Sequence, residues 1–71
     1  MPDNVLENIG KLIRARRETL GLTQEYLAEI SGVGLRTLRE LERGKGKSLV
    51  ILIKIADALG LSVQLKIKSV S

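Results

Sequence analysis

Cysteine and histidine are both missing from this chain, and Tyr26 is its only aromatic residue. Without cysteine there is neither a disulfide nor a thiol nucleophile, and without histidine as well the usual zinc ligand sets are excluded. No carboxylate cluster accompanies a nucleophile, so the sequence offers no catalytic residues, no metal ligands and no cofactor site. No apolar run approaches the roughly 20 residues needed to span a bilayer. The N-terminus, Met1-Pro2-Asp3-Asn4, lacks the charged and apolar regions of a secretory signal. These absences predict a cytoplasmic protein that is neither an enzyme nor a membrane component.

Hydrophobic residues make up 44% of the 71 positions, enough for a core, and that core must be aliphatic. The length predicts one domain, residues 1–71, near the lower limit at which a single core is stable alone. With no staples available, oligomerisation is the expected extra source of stability. A net charge of +4 favours an anionic partner, nucleic acid among the candidates.

No repeat, linker or low-complexity segment interrupts the chain; glycines divide it into short elements. Asn4 and Glu7 form a capping-box-like pair that predicts a helix over about 4–20, with Val5, Leu6, Ile9, Leu12, Ile13 and Leu20 at helical spacing before Gly21. Thr23 caps a second helix, 24–31, whose inward residues are read as Leu27, Ala28 and Ile30. A third runs over about 35–43 and is closed by Gly44. Ser48 caps a fourth, about 49–59, with Leu49, Leu52, Ile55, Ala56 and Leu59 facing in and Val50 and Ile51 outside the stripe. From 62 to 68 the period changes to two, Val63, Leu65 and Ile67 alternating with Gln64, Lys66 and Lys68, which predicts a half-buried strand.

At 100° per residue, the third helix turns Leu35, Leu38 and Leu41 inward with Glu42 beside them, while Arg36, Arg39, Glu40 and Arg43 share the outer face. Such a face is either a solvated surface or a surface that reads base edges in a major groove. Gly32-Val33-Gly34, joining the second and third helices, has the length and composition of a helix-turn-helix connection.

The string from Gly21-Leu22-Thr23-Gln24-Glu25-Tyr26-Leu27-Ala28-Glu29-Ile30-Ser31-Gly32-Val33 through Leu41-Glu42-Arg43-Gly44, continued by Leu52-Ile53-Lys54-Ile55-Ala56-Asp57-Ala58-Leu59-Gly60-Leu61-Ser62, resembles the Xre, or Cro/phage-repressor, family. The resemblance covers nearly the whole chain. It implies a mainly α fold, a compact four-helix helix-turn-helix DNA-binding domain of the lambda-repressor-like kind. It also implies roles position by position. Gln24 touches a phosphate and orients reading side chains. Leu35, Arg36, Arg39 and Glu40 occupy positions that read bases or adjacent backbone, and arginine suits guanine because its planar fork meets O6 and N7 together. Glu40 has two readings, an acceptor for cytosine N4 or an i+4 partner of Arg36. Thr37, Arg43, Lys45 and Lys47 are implied phosphate contacts, with Gly44 and Gly46 letting the loop backbone approach. Gly34 departs from the family's Ser or Thr and removes a hydroxyl from the interface. Arg17 and Glu42 are implied to pair and tie the first helix to the third.

A lone strand has two unpaired edges. The expected solution is pairing with the same strand of a second chain, giving a homodimer in which Val50, Ile51, Val63, Leu65 and Ile67 are buried. This helix-plus-strand ending is similar to HipB-type antitoxins, a branch of the Xre family. The leading expectation is a sequence-specific double-stranded DNA-binding regulator, a repressor acting as a homodimer on a two-fold operator. The alternative is an antitoxin that binds a toxin protein and autoregulates its operon.

Overall fold

In the computed structural model, which describes residues 4–68, four helices follow one another: α1 (Asn4–Thr19), α2 (Gln24–Ser31), α3 (Leu35–Glu42) and α4 (Leu49–Ala58). Their starts have local causes. Thr23 Oγ1 accepts the Tyr26 N–H at 3.0 Å, and Ser48 Oγ accepts the Ile51 N–H at 3.2 Å, each satisfying one donor that the first helical turn leaves free. The cap expected of Asn4 concerns a side chain outside the described ones. Three helices end one residue earlier than their periodicity suggests, at Thr19, Glu42 and Ala58. Arg43 and Leu59 have already left the helix, with ψ of 3° at both, ahead of the left-handed Gly44 and Gly60.

Between α2 and α3 the chain turns on Gly32, Val33 and Gly34. Gly32 takes φ +71°, which only glycine adopts cheaply, and its N–H closes α2. Val33 is buried as the wedge of the turn. Gly34 caps α3 with no side-chain hydrogen bond. α3 is the hub: α1 packs on one side of it and α2 on another, while α2 also packs on α4. Ile13 from α1, Leu27 and Ala28 from α2, Val33 from the turn, Leu38 and Leu41 from α3, Ile55 from α4 and Leu59 just past its end form one continuous aliphatic core.

The inward residues differ from the periodic reading at several places. Ile30 and Leu49 are exposed, whereas Ile51 is half-buried and packs on the core, so it is not free as a dimer contact to the extent expected. Ile30 sits a further turn round the helix from the Leu27–Ala28 contact, and Ser31 takes the flanking position instead. Val5, Leu12 and Leu20 are exposed because α1 is covered chiefly by α3, and its buried stripe narrows to Ile13 with Ile9 beside it.

The expected strand is absent among the described residues. Residues 61–68 follow α4 as unpaired chain, and no backbone hydrogen bond engages 62–68. The physical reason is the one that made the strand notable: a ladder needs a second strand, and this chain supplies none. Leu65 and Ile67 are 100% and 98% exposed, so they cover nothing on α4.

Gly10 sets how closely α1 approaches α3. A Cβ at this position would lie 2.6 Å from the Leu41 carbonyl oxygen and 2.7 Å from that of Glu42. These are backbone atoms at the end of α3 and cannot swing away. Ala is a better helix former than Gly by about 1 kcal/mol, so propensity alone favours replacement. Packing opposes it more strongly. Gly10→Ala is expected to destabilise the fold by about 1–3 kcal/mol, seen as a lower urea midpoint; a raised midpoint would show that the helices separate freely.

Candidate nucleic-acid interface

Among the described residues, Arg17 and Glu42 are the buried charged side chains of the core, each 9% exposed. Arg17 extends from the last turn of α1 and Glu42 ends α3. The guanidinium donates from Nε to Glu42 Oε2 at 2.7 Å and from Nη2 to Oε1 at 3.1 Å, a two-pronged pair, while Nη1 donates to the Leu22 carbonyl at 2.8 Å. The hydrogen bond to Glu42 holds the Arg17 guanidinium above its ordinary pKa, against the opposing pull of burial. Among the described residues, no buried side-chain polar atom lacks a partner.

From this pair a chain of hydrogen bonds runs outward. Gln24 Nε2 donates to Glu42 Oε1 at 3.0 Å, and Gln24 Oε1 accepts from Arg39 Nε at 3.2 Å. Arg39 Nη2 then donates to Glu25 Oε2 at 3.4 Å. The order fixes the Gln24 amide: a carboxylate only accepts and a guanidinium only donates, so the NH2 must face Glu42 and the carbonyl must face Arg39. Three elements are thereby registered, α1 through Arg17, α3 through Glu42 and Arg39, and the start of α2 through Gln24.

Two clefts flank the outer face of α3. One, of about 220 Å³, is lined by Arg14, Gln24, Arg39, Glu42 and Arg43. Glu42 is paired to Arg17, Arg14 to Glu18 at 3.4 Å and Arg39 to Glu25, so among the described residues Arg43 is the arginine of that cleft without an ion pair. The other, of about 140 Å³, has Thr37, Glu40, Lys45 and Lys47 among its lining residues. Arg36, Thr37, Arg39, Arg43, Lys45 and Lys47 are all exposed, and Gln24 and Glu40 are half-buried. Arg36 lines neither cleft.

Leu35 is half-buried and packs on the core, turned inward as its place on the helical wheel predicts. Arg36 and Glu40 form no ion pair among the described residues. Gly44 and Gly46 do not serve an outward approach. A Cβ at Gly44 would meet Glu7 Cα at 2.9 Å, and one at Gly46 would meet Leu41 Cδ1 at 2.6 Å. Both glycines let the loop press inward onto α1 and α3. That packing, with Lys45 N–H on the Glu40 carbonyl at 2.9 Å, holds the two lysines beside α3.

The family model described as HTH_3, helix-turn-helix, matches residues 13–66, which includes all of α2, the turn and α3. The chain belongs to the helix-turn-helix family, of the Xre/Cro type. This is a family of transcriptional regulators, not of enzymes. An uncharacterized helix-turn-helix-type transcriptional regulator of Methanothermobacter thermautotrophicus is 52% identical over 50 residues, covering 69% of this chain and 72% of that protein. The regulator y4mF of Sinorhizobium fredii is 36% identical over 59 residues, covering 82% and 78%. Among solved structures, the restriction-modification controller protein C.AhdI from Aeromonas hydrophila superposes with a TM-score of 0.73 at 34% identity, over 80% of this chain and 88% of that one.

Within this helix-turn-helix frame, two residues of the site went unnoticed in the sequence. Arg14 lines the arginine cleft, and the available signal was its position one turn before Arg17 on α1. Glu25 reaches Arg39 across 14 residues of sequence, a contact that periodicity within one helix cannot reveal. Among the described residues there is no group of acidic side chains that could hold a metal, and no helix is long and apolar enough to cross a membrane.

Proposed function

We propose that this helix-turn-helix protein is a sequence-specific regulator that binds double-stranded DNA as a homodimer and represses transcription by occupying a two-fold operator. The observation that carries the reading is the two-sidedness of α3. Leu38, Leu41 and Glu42 anchor it in the core, while Arg36 and Arg39 stand exposed on its other side and Arg43 just past its end. A major groove about 12 Å wide admits such a helix. Arg39 and Arg36 face base edges in this arrangement, and Glu40 accepts from cytosine N4. Gln24, Thr37, Arg43, Lys45 and Lys47 neutralise or hydrogen-bond the phosphates on either side. Leu35 acts through packing, by supporting the start of α3.

The homodimer reading rests on surface that one chain leaves uncovered. Leu49, Val50 and Ile53 on α4 are exposed, as are Val63, Leu65 and Ile67 on the tail. Pairing of residues 62–68 with the same segment of a second copy satisfies the free backbone groups and gives the alternating apolar residues a partner face. The likeness to helix-turn-helix-type regulators and to a restriction-modification controller protein supports control of transcription through DNA.

Selection of bound duplexes from a random pool tests the reading directly and supplies the operator. On the selected site, Arg39→Ala is expected to cost about 1–3 kcal/mol while barely changing affinity for random DNA. An equal loss on both would make Arg39 a phosphate contact only. A chain ending at Ser62 is expected to sediment as a monomer and to keep only weak, largely non-specific binding, because a dimeric reader needs half-sites about 34–36 Å apart. A full chain that is monomeric at tens of micromolar would overturn the dimer.

A further inference from the structure

Glu25 is an acidic residue in the first turn of α2, beside the face that DNA would occupy, where a carboxylate repels phosphate. Its side chain is 66% exposed, so solubility alone would not require it to face α3. Yet its carboxylate holds Arg39, whose side chain is 49% exposed, at 3.4 Å. The atoms involved give this contact a consequence. Arginine has five N–H donors in a rigid plane, arranged as two bidentate edges: Nε with Nη2, and Nη1 with Nη2. The first is the edge that Arg17 gives to Glu42. In Arg39 the same edge is already engaged, Nε by Gln24 and Nη2 by Glu25. The second edge remains, with both hydrogens of Nη1 and the outer hydrogen of Nη2 uncommitted among the described residues.

We infer that Glu25 is a specificity-determining positioning residue, which with Gln24 occupies the Nε side of the Arg39 guanidinium so that its Nη1–Nη2 edge is presented end-on to guanine. This rests on the DNA-binding reading above and deepens it. Gln24 alone leaves the plane free to rotate about its single hydrogen bond. A second anchor on Nη2 fixes the plane, and a planar fork held in advance loses less freedom when it meets O6 and N7. The carboxylate simultaneously weakens attraction to phosphates, which carries no sequence information. Glu25 therefore lowers affinity for all DNA while raising the preference for one sequence. A solvated charge would do only the first.

The test measures affinity for the selected duplex and for random duplex, at one salt concentration, in the full-length protein. Glu25→Gln is expected to strengthen binding to random DNA and to reduce the ratio of selected to random affinity by about 2- to 5-fold, the scale of an exposed charge pair. The loss should fall on substitutions of a single guanine in the site. In an Arg39→Ala background, Glu25→Gln should leave the ratio unchanged. Glu29→Gln removes the same charge from the same helix and should shift both affinities without altering the ratio. If Glu25→Gln leaves the ratio unchanged, or lowers it equally without Arg39, the assignment is wrong while the DNA reading stands. A wild-type chain with no preference for any selected duplex would sink both.

Discussion

A buried charge pair is an expensive way to join two helices, and the arrangement of this protein depends on one. Arg17 and Glu42 meet at 2.7 Å inside a core that is otherwise aliphatic. Removing either partner alone would strand a buried charge and cost about 3–5 kcal/mol, whereas well-packed apolar residues in both places would be near neutral or stabilising. Stability therefore does not explain why charges stand there. What the pair supplies is direction. A carboxylate fixed by two guanidinium bonds still has acceptor capacity, and Glu42 uses it to take the Gln24 amide.

That third bond carries information from the core to the surface. Because Glu42 can only accept, Gln24 must turn its carbonyl outward, and Arg39 is met by an acceptor at a defined place. The backbone contact at Gly10 serves the same end by bringing α1 close against the end of α3. Gly46, in turn, seats the lysine-bearing loop against Leu41. One helix thus has an inner face specified by packing and an outer face specified by a polar relay that begins in the core.

Much of the fold was legible because helix boundaries are local events. Thr23, Ser48 and the glycines after each helix mark the boundaries within a residue of where they occur. The inward face of α4 was legible at Leu52, Ile55, Ala56 and Leu59 but not in its first turn, since Leu49-Val50-Ile51-Leu52-Ile53 is apolar without interruption and periodicity there cannot choose a side. Gly10 gave no sign of its role, because a glycine inside a helix does not say what lies opposite. Alternation in Val63, Leu65 and Ile67 shows a tendency to extend, but a ladder also needs a partner. At the interface, the exposed arginines of α3 follow from a helical wheel. The Gln24–Arg39–Glu25 contacts join residues 14 or 15 apart that only the packing of α2 on α3 brings together.

If the buried pair exists to orient the outer face, exchanging it for apolar residues separates folding from reading. The most direct measurement is DNA preference of the double variant Arg17→Met with Glu42→Leu, alongside its unfolding curve. The account predicts a folded protein of comparable or greater stability that binds random duplex as before. Its preference for the selected duplex should fall toward that of Arg39→Ala, because Gln24 has lost its anchor. A double variant that folds and keeps the full preference would contradict the account.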